Sequence, residues 1–408
     1  MQKRKQIIWS AVIAIGFLII SYCLTNLDLP LSGEKALLYK FELYRNYLYP
    51  ADRSVPDSLL LVNVSYDKEL VEATDEYGLP VGQTQITDRQ KLLRLLKELK
   101  RRNDYKYILM DVFFGQDVQT PVDSALFATI CSMPRLVIPR HWDEQLASEA
   151  LYAKAGQADY MTTYKESSFV KYPYMTDSVA SMPLRMYEDI TGRTVSRHGL
   201  LYTDGWKVVR KSVTLAFDVN VNTAYNENGE KNWYNLGADL LGEEAGSGML
   251  DQWPEMTKDK YIAIGALVGD DMHGTYIGKM PGLVINVNAF LALMQGHHVV
   301  SWLLTLIMFV AFFVLTYLTL TQQSLNEVAQ SLGTAKNRRY LLLLSGLCTW
   351  IGYSLFLTIL CISTYLLMGE VYDIFITSTL FYFLHLAVKH QDKPRKLLQI
   401  WEKRKKSS

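Results

Sequence analysis

The sequence predicts an α/β domain with a mixed or parallel sheet, joined to four transmembrane α-helices. Three observations lead to this fold class. Of the 408 residues, 49% are hydrophobic, yet the mean hydropathy is only +0.03, so very apolar segments must accompany an ordinary polar part. Four apolar runs are separated by polar segments whose lysines and arginines are unevenly distributed. Between the first and second runs, short β-rich stretches alternate with helical patterns.

The four apolar runs approach or exceed the roughly 20 residues that a helix needs to cross a bilayer. We predict transmembrane helices over residues 7–24, 299–320, 341–367 and 374–388. The first run has two alternatives, a cleaved signal peptide and a lipoprotein anchor at Cys23. The run ends without a small-x-small cleavage site, and Tyr22 is too large for lipoprotein processing, so we expect an uncleaved anchor.

The placement of lysine and arginine predicts orientation, because these residues stay on the cytoplasmic side. They occur in the N-terminus 1–6, in the loop 321–340 and in the tail 389–408, but the short connection 368–373 has none. All three basic segments lie on one side only if the chain crosses four times. We therefore predict a multi-pass protein of a bacterial inner membrane, with cytoplasmic termini and with residues 25–298 periplasmic.

The segment 25–298 begins with the order strand, helix, strand, helix, strand. We predict the strands at Leu59–Ser65, Tyr107–Phe114 and Arg135–Pro139. The first helix follows a loop with Gly78, Pro80 and Gly82; Thr87 and Gln90 have the spacing of a capping box, and the leucines after them share one apolar face. The second helix begins at Asp123 and runs through Ile130. Such close alternation predicts parallel strands joined by right-handed crossovers.

The rest of the segment completes one α/β domain. Its middle predicts a helix at Ser181–Thr191, a strand at Lys211–Phe217 and a turn at Asn226–Lys231. Near its end, a strand at Tyr261–Val268 is followed by Gly282–Asn288, which leads into a helical run, Ala289–Gln295. His297 and His298 are expected in a half-wet environment at the membrane boundary. Only Cys131 falls in this domain, so it cannot form an internal disulfide.

Several stretches together resemble the second type of CHASE domain, an extracellular sensory module with one transmembrane helix before it and three after it. The stretches are, in order, Leu59–Ser65, Arg89, Tyr107–Phe114 with Asp123–Leu126, Asn232–Gly237, and Tyr261–Gly265 with Met280–Asn288. The resemblance covers roughly residues 35 to 300. It implies a sensor whose ligand-binding residues are Arg89, Asp111, Asp123 and Asn288. The chain departs from the family in the first strand, where Asn63 and Ser65 stand at positions that are more often acidic.

The acidic residues allow two interpretations. Asp111 and Asp123 can form a carboxylate pair for acid–base chemistry or a metal, but we favour structural roles, with Asp111 accepting from loop amides and Asp123 capping a helix. Asp270, Asp271 and His273 can ligate a metal, but a polar loop is favoured. The sequence has no nucleophile elbow, phosphate loop or zinc motif. We therefore predict no enzymatic activity, no cofactor and no metal.

These observations predict a membrane-anchored sensory or binding module. Only the basic tail follows the last predicted crossing, so the module lacks an output domain and would act in signal transduction through a membrane or cytoplasmic protein partner. The alternative is a structural or assembly subunit of a cell-envelope membrane complex. The lipid bilayer is the first predicted partner, and a homo-oligomer stays open. The formal net charge of +1 gives no reason to expect nucleic acid.

Overall fold

The computed structural model describes residues 2–27, 34–48, 55–74, 79–159, 169–176, 179–221, 223–226, 228–242, 253–269, 271–321, 338–369 and 374–390. The chain divides into two compact units. One comprises residues 1–41 and 300–408, and the other comprises residues 42–299. Most of the predicted basic loop 321–340 and nearly all of the tail 389–408 lie outside the described residues.

The first unit is helical. Its helices are α1 (Gln2–Thr25), the start of α2 (Glu34–Leu48), α8 (Trp302–Leu320), α9 (Arg338–Met368) and α10 (Ile374–His390). Among the described residues, three stretches are long and apolar enough to cross a membrane: Lys3–Thr25, Trp302–Leu320 and Thr349–Leu366. The predicted fourth crossing forms a shorter apolar helix, Ile374–Val388, and its passage through the bilayer stays a prediction.

Aromatic side chains join three of these helices. The ring centroid of Phe17 in α1 lies 6.2 Å from Phe312 in α8 and 4.3 Å from Phe381 in α10. Phe312 and Phe381 lie 5.5 Å apart. All three rings are buried, so apolar residues of the predicted crossings form helix–helix contacts.

The second unit contains all the strands and the remaining helices. Its strands are β1 (Leu59–Asn63), β2 (Lys68–Thr74), β3 (Pro80–Thr87), β4 (Tyr107–Asp111), β5 (Leu136–Arg140), β6 (Ala155–Gln157), β7 (Lys171–Pro173), β8 (Met175–Thr176), β9 (Val179–Ala180), β10 (Val195–His198), β11 (Leu201–Asp204), β12 (Lys207–Val209), β13 (Ser212–Thr214), β14 (Tyr234–Asn235), β15 (Tyr261–Gly265), β16 (Met272–Thr275) and β17 (Gly278–Pro281). Its helices are α3 (Arg89–Arg102), α4 (Asp123–Ser132), α5 (Met182–Thr191), α6 (Trp253–Thr257) and α7 (Gly282–Met294), with a 3₁₀ turn at Glu149–Lys154 and a π-helical turn at Leu236–Leu240.

Six strands form one sheet in the order β14-β1-β15-β4-β5-β6. Every neighbouring pair is parallel, which confirms the predicted α/β class and its parallel pairing. The strand of this sheet that comes last in the sequence, β15, lies between β1 and β4, with Gly265 opposite both Asn63 and Asp111.

Helices cover both faces of this sheet, and this explains the continuous apolar runs of its strands. Alternate residues such as Val62, Ile108 and Ile264 pack with the leucines of α3 and with α4. The residues between them, such as Leu109 and Ala263, face α5 and α7 on the other side. Fully buried strands therefore lack the period-two alternation of a half-exposed sheet.

The structure corrects the sequence-based prediction for the start of α3. The N-cap is Asp88, whose side chain accepts a hydrogen bond from the backbone N of Lys91 at 2.9 Å. The predicted capping box at Thr87 and Gln90 is therefore wrong, because Thr87 is the last residue of β3 and pairs with Lys68. Pro80 and Gly82, which were assigned to a loop before it, lie in β3 of the antiparallel hairpin β2–β3, and Gly78 lies outside the described residues.

Two further predictions differ in their bounds. Helix α7 begins at Gly282 rather than at Ala289, because the whole run from Leu283 is buried against the sheet and the neighbouring segments. In the middle of the domain, the predicted strand Lys211–Phe217 shortens to β13. A three-stranded antiparallel sheet, β10-β11-β12, precedes it and was not predicted.

Candidate functional site

The carboxyl ends of the parallel strands define one edge of the main sheet. In open parallel sheets, ligands bind outside this edge, where successive connections leave toward opposite faces. The chain leaves β1 and β4 toward α3 and α4 on one face. It leaves β15, which lies between them, toward α7 on the other face. The carboxyl end of β15 is therefore the switch point, and β1 and β4 flank it.

Asn63 and Ser65, the departures from the CHASE pattern, hold the loop that follows β15. The fully buried Asn63 donates through Nδ2 to Oδ1 of Asn235 at 2.8 Å. Its Oδ1 accepts from the backbone N of Ser65 and of Leu267, both at 3.1 Å. The Ser65 hydroxyl accepts from the backbone N of Leu267 at 3.1 Å and of Val268 at 3.0 Å. The side chains of Asn63 and Ser65 therefore accept hydrogen bonds from backbone N–H groups in this structure.

Asp111 ends β4 beside the switch point. Its Oδ2 accepts from Nδ2 of Asn286 in α7 at 3.2 Å, and Oδ1 of Asn286 accepts from the Tyr172 hydroxyl at 2.8 Å. Burial, followed by the charge of Asp271, raises the pKa of Asp111 to about 6. Opposite Asp111 lies Gly265, where a Cβ would come within 3.1 Å of the Asp111 Cβ. A glycine at the end of β15 thus makes room for this carboxyl group.

Asp271 and His273 form a second polar pair near Asp111. Nε2 of His273 lies 2.9 Å from Oδ1 of Asp271, and this hydrogen bond raises the pKa of His273 against the opposing effect of burial. The Asp271 carboxylate also lies at the N-terminus of α7, since a Cβ on Gly282 would be 2.6 Å from its Oδ2. The partial positive charge of a helix N-terminus favours a carboxylate there. Both side chains are nearly half exposed, so this pair is open to solvent.

His141 and Asp159 extend the polar edge beyond β5. Asp159 accepts from the backbone N of Trp142 at 2.7 Å and from Nε2 of Gln157 at 2.5 Å, and its Oδ1 lies 2.8 Å from Nδ1 of His141. His141 and His273 both act to lower the pKa of Asp111. The edge therefore combines three carboxyl groups with two imidazoles. In the part of the chain that the structure describes, no group of three or more His, Cys, Asp or Glu side chains is arranged to hold a metal ion.

The structure brings together two of the four residues that the resemblance implicates, Arg89 and Asp123. They form a buried ion pair through Nη1 and Oδ2. Nη1 of Arg89 also donates to the carbonyl of Val118 at 3.3 Å, and the guanidinium lies over the ring of Phe114. Asp123 accepts from the backbone N and the hydroxyl of Thr120 at 2.9 and 2.7 Å. The pair joins the start of α3 to the start of α4.

Asn288 lies in a different place, inside α7. Its Oδ1 accepts from the backbone N of Val219 at 3.0 Å, and its Nδ2 donates to the carbonyl of Val219 at 2.8 Å. The Asn288 side chain thus pairs with both backbone groups of Val219, which lies in a segment without regular secondary structure. Of the four predicted site residues, Asp111 is the one that ends a strand of the main sheet, and a ligand-binding role for each of them stays a prediction.

Sequence reasoning missed Asn286, Tyr172, His141 and Asp159. Asn286 carried the clearest signal, because an amide inside the apolar run 283–294 has to find a buried partner. The others gave no usable signal, since segments distant in sequence bring them to the edge. Asp270, which was considered with Asp271 and His273, lies outside the described residues.

Tyr187, Asp204 and His298 form a second polar cluster. The hydroxyl of Tyr187 donates to Oδ2 of Asp204 at 2.8 Å, and Nε2 of His298 lies 3.4 Å from the same oxygen. The side chains of Asp204 and His298 are wholly buried, so the prediction that His298 lies in a half-wet environment is wrong. Burial lowers the pKa of His298, and the carboxylate of Asp204 opposes this effect.

Comparison of the chain with models of known protein families, with curated protein sequences and with solved structures finds no match.

Proposed function

We propose that this protein is a membrane-anchored sensory module, which binds a ligand at the carboxyl edge of its parallel sheet and acts through a partner subunit. The observation that carries the proposal is the position of Asp111. It lies beside the switch point, in a hydrogen-bonded chain with Asn286 and Tyr172, and next to the solvent-open Asp271–His273 pair. The resemblance to the second type of CHASE domain and the predicted placement outside the cytoplasm support the same function.

The charges at this edge favour a ligand with an amine or several hydroxyl donors. Asp271 is close enough to Asp111 for its charge to raise the pKa of Asp111. A cationic group between them would relieve this repulsion and stabilise the ionised form of Asp111. Hydroxyl donors would supply hydrogen bonds that Asn286 alone does not.

Helix α7 connects this edge, along the sequence, to the chain that precedes a candidate membrane span. It begins at Gly282, beside the Asp271 carboxylate, and ends at Met294, shortly before the apolar helix that starts at Trp302. A ligand that contacts Asp271 or Asn286 therefore acts directly on α7. It can shift the helix only by the difference in its affinity for the two positions.

The test is thermal unfolding of the full chain in detergent micelles with a panel of small probes. We expect the amines ethanolamine, putrescine and arginine to include one that raises the unfolding temperature, whereas succinate and inorganic phosphate do not. Asp271→Asn should abolish the shift. Asp57→Asn, an exposed aspartate that precedes β1 at the amino edge of the same sheet, should retain it.

Two results would contradict the proposal. A shift that persists in both Asp271→Asn and Asp111→Asn would place the ligand elsewhere. An absence of any shift with the amines, together with recovery of the tagged chain in fixed stoichiometry with envelope proteins after crosslinking, would instead favour the structural or assembly subunit.

A further inference from the structure

The small sheet β10-β11-β12 ends in an unusually exposed tryptophan. Residues Gly205 and Trp206 form the turn between β11 and β12, with Asp204 paired to Lys207 across it. Gly205 has a φ of +58°, the left-handed conformation that glycine adopts without strain. The Trp206 side chain is 88% exposed. A large aromatic side chain that a tight turn holds in solvent indicates a binding surface.

The pairing of the strands places two exposed apolar side chains, Leu201 and Val208, on the outward face of this sheet. His198 lies opposite Leu201, and Thr203 lies opposite Val208. Leu201 and Val208 are exposed, whereas Tyr202 and Val209 on the alternate face are buried. The outward face and the Trp206 turn together form what we call the β10–β12 surface.

The segment around this surface is strongly basic. Residues 193–211 include five lysines and arginines but one acidic residue, Asp204. The Asp204 side chain is buried, so its carboxylate does not face outward. The basic side chains are Arg193, Arg197, Lys207, Arg210 and Lys211, of which Arg210 is buried. An exposed indole bordered by cations matches the boundary of an anionic lipid layer.

Hydrogen bonds tie this sheet to the chain just before an apolar helix. Val209 forms a β-bridge with Val299, and the backbone N of Arg210 donates to the carbonyl of His298 at 2.9 Å. The candidate membrane span begins at Trp302. In the sequence, only Val300 and Ser301 separate this bridge from the candidate span.

A cleft beside the turn has the chemistry to hold a headgroup. It has a volume of about 510 Å³, and its lining includes Arg193, Lys207, His298 and Val299. The guanidinium of Arg193 and the ammonium group of Lys207 can both bind a lipid phosphate.

We propose that the β10–β12 surface docks onto anionic phospholipid, with Trp206 inserted at the interface and a headgroup phosphate beside Arg193 and Lys207. This inference is independent of the ligand at the carboxyl edge. It assigns a second membrane contact to the folded domain, in addition to the apolar helices.

The experiment uses the full chain reconstituted in vesicles, with the emission of Trp206 obtained as the difference between the wild type and Trp206→Tyr. In vesicles that contain brominated phosphatidylglycerol, we expect this emission to fall at least about twofold, as for an interfacial indole. The emission of Trp142, obtained from Trp142→Tyr, is the matched control, because this residue is also exposed but follows β5 and is not part of the β10–β12 surface; it should not fall. The double variant Arg193→Gln/Lys207→Gln should weaken the quenching of Trp206.

Two outcomes would overturn the proposal. Trp206 emission that is quenched by aqueous acrylamide but not by brominated lipid would place the turn in solvent. Emission protected from both quenchers would mean that a second copy of the chain covers the surface. Trp206→Tyr should retain the amine-dependent shift in unfolding temperature, so failure of this proposal is distinguishable from failure of the sensory function.

Discussion

Asp123 and Asp111, which sequence reasoning considered together, have opposite surroundings in the structure. Asp123 accepts from the guanidinium of Arg89 and from both donors of Thr120. Among the described residues, Asp111 receives one hydrogen bond from the neutral amide of Asn286, and it faces the charge of Asp271. A carboxylate with a counter-charge and several donors is part of the framework. A carboxylate with few donors and a raised pKa has capacity left for a ligand.

The largest expected effect is at the framework pair. Arg89→Ala leaves the Asp123 carboxylate buried without its counter-charge, which costs about 3–5 kcal/mol. In a domain of this size, such a loss lowers the unfolding temperature by about 10 °C. Near-ultraviolet circular dichroism of the full chain in micelles measures it.

Lys97→Gln is the matched control for this variant, because Lys97 is an exposed cation on the same helix, α3. An exposed substitution of this kind should change the free energy of unfolding by no more than about 0.5 kcal/mol. If Arg89→Ala proved as mild as Lys97→Gln, the pair would not be part of the framework. The resemblance-based role of Arg89 in ligand binding would then gain support.

The second-largest expected effect is a dependence of stability on pH that arises from the titration of Asp111. Its pKa of about 6 in the folded protein lies above the unfolded value of about 3.9, so the folded state binds the proton more tightly. The resulting stability is fully present below about pH 4 and is lost as the pH rises through about 6. Because Asp111 is partly exposed, we expect the free energy of unfolding to fall by about 2 kcal/mol over this pH range.

Asp111→Asn should remove this loss, which appears as the difference between the unfolding curves of variant and wild type at pH 4 and pH 7. Asn286→Ala sharpens the test. The hydrogen bond from Asn286 lowers the pKa of Asp111, so its removal should move the midpoint of the loss to higher pH. A midpoint that stays fixed would show that Asn286 does not control this carboxyl group.

Sequence reasoning predicted the strands β1, β4, β5 and β15 of the main sheet but not β6, for a physical reason. Strands such as β1 and β4 are buried on both faces, so their apolar runs are continuous and easily recognised. It failed where local signals conflict with tertiary context. Gly282 and the asparagines of α7 are poor helix formers, yet burial of the apolar residues between them makes the segment helical.

The candidate site was less accessible to sequence reasoning than the fold. Asp111 could be singled out because it ends an apolar strand. Its partners Asn286 and Tyr172 lie 175 and 61 positions further along the chain, and only the order of strands brings them to one edge. The framework roles of Arg89 and Asn288 likewise depend on contacts with Asp123 and Val219 that sequence spacing does not encode.

The smallest expected effect distinguishes the open edge from the framework most directly. The hydrogen bond to Asp271 raises the pKa of His273, so Asp271→Asn should lower that pKa toward the ordinary histidine value. The same variant removes a charge that raises the pKa of Asp111, so the pH-dependent loss of stability should move to lower pH. Histidine resonances of the labelled full chain, with His273 assigned through His273→Gln, measure the first change, and Asp57→Asn should leave it unaltered. If Asp271→Asn changed neither quantity, Asp271, His273 and Asp111 would be electrostatically separate, and the edge could not act as one ligand site.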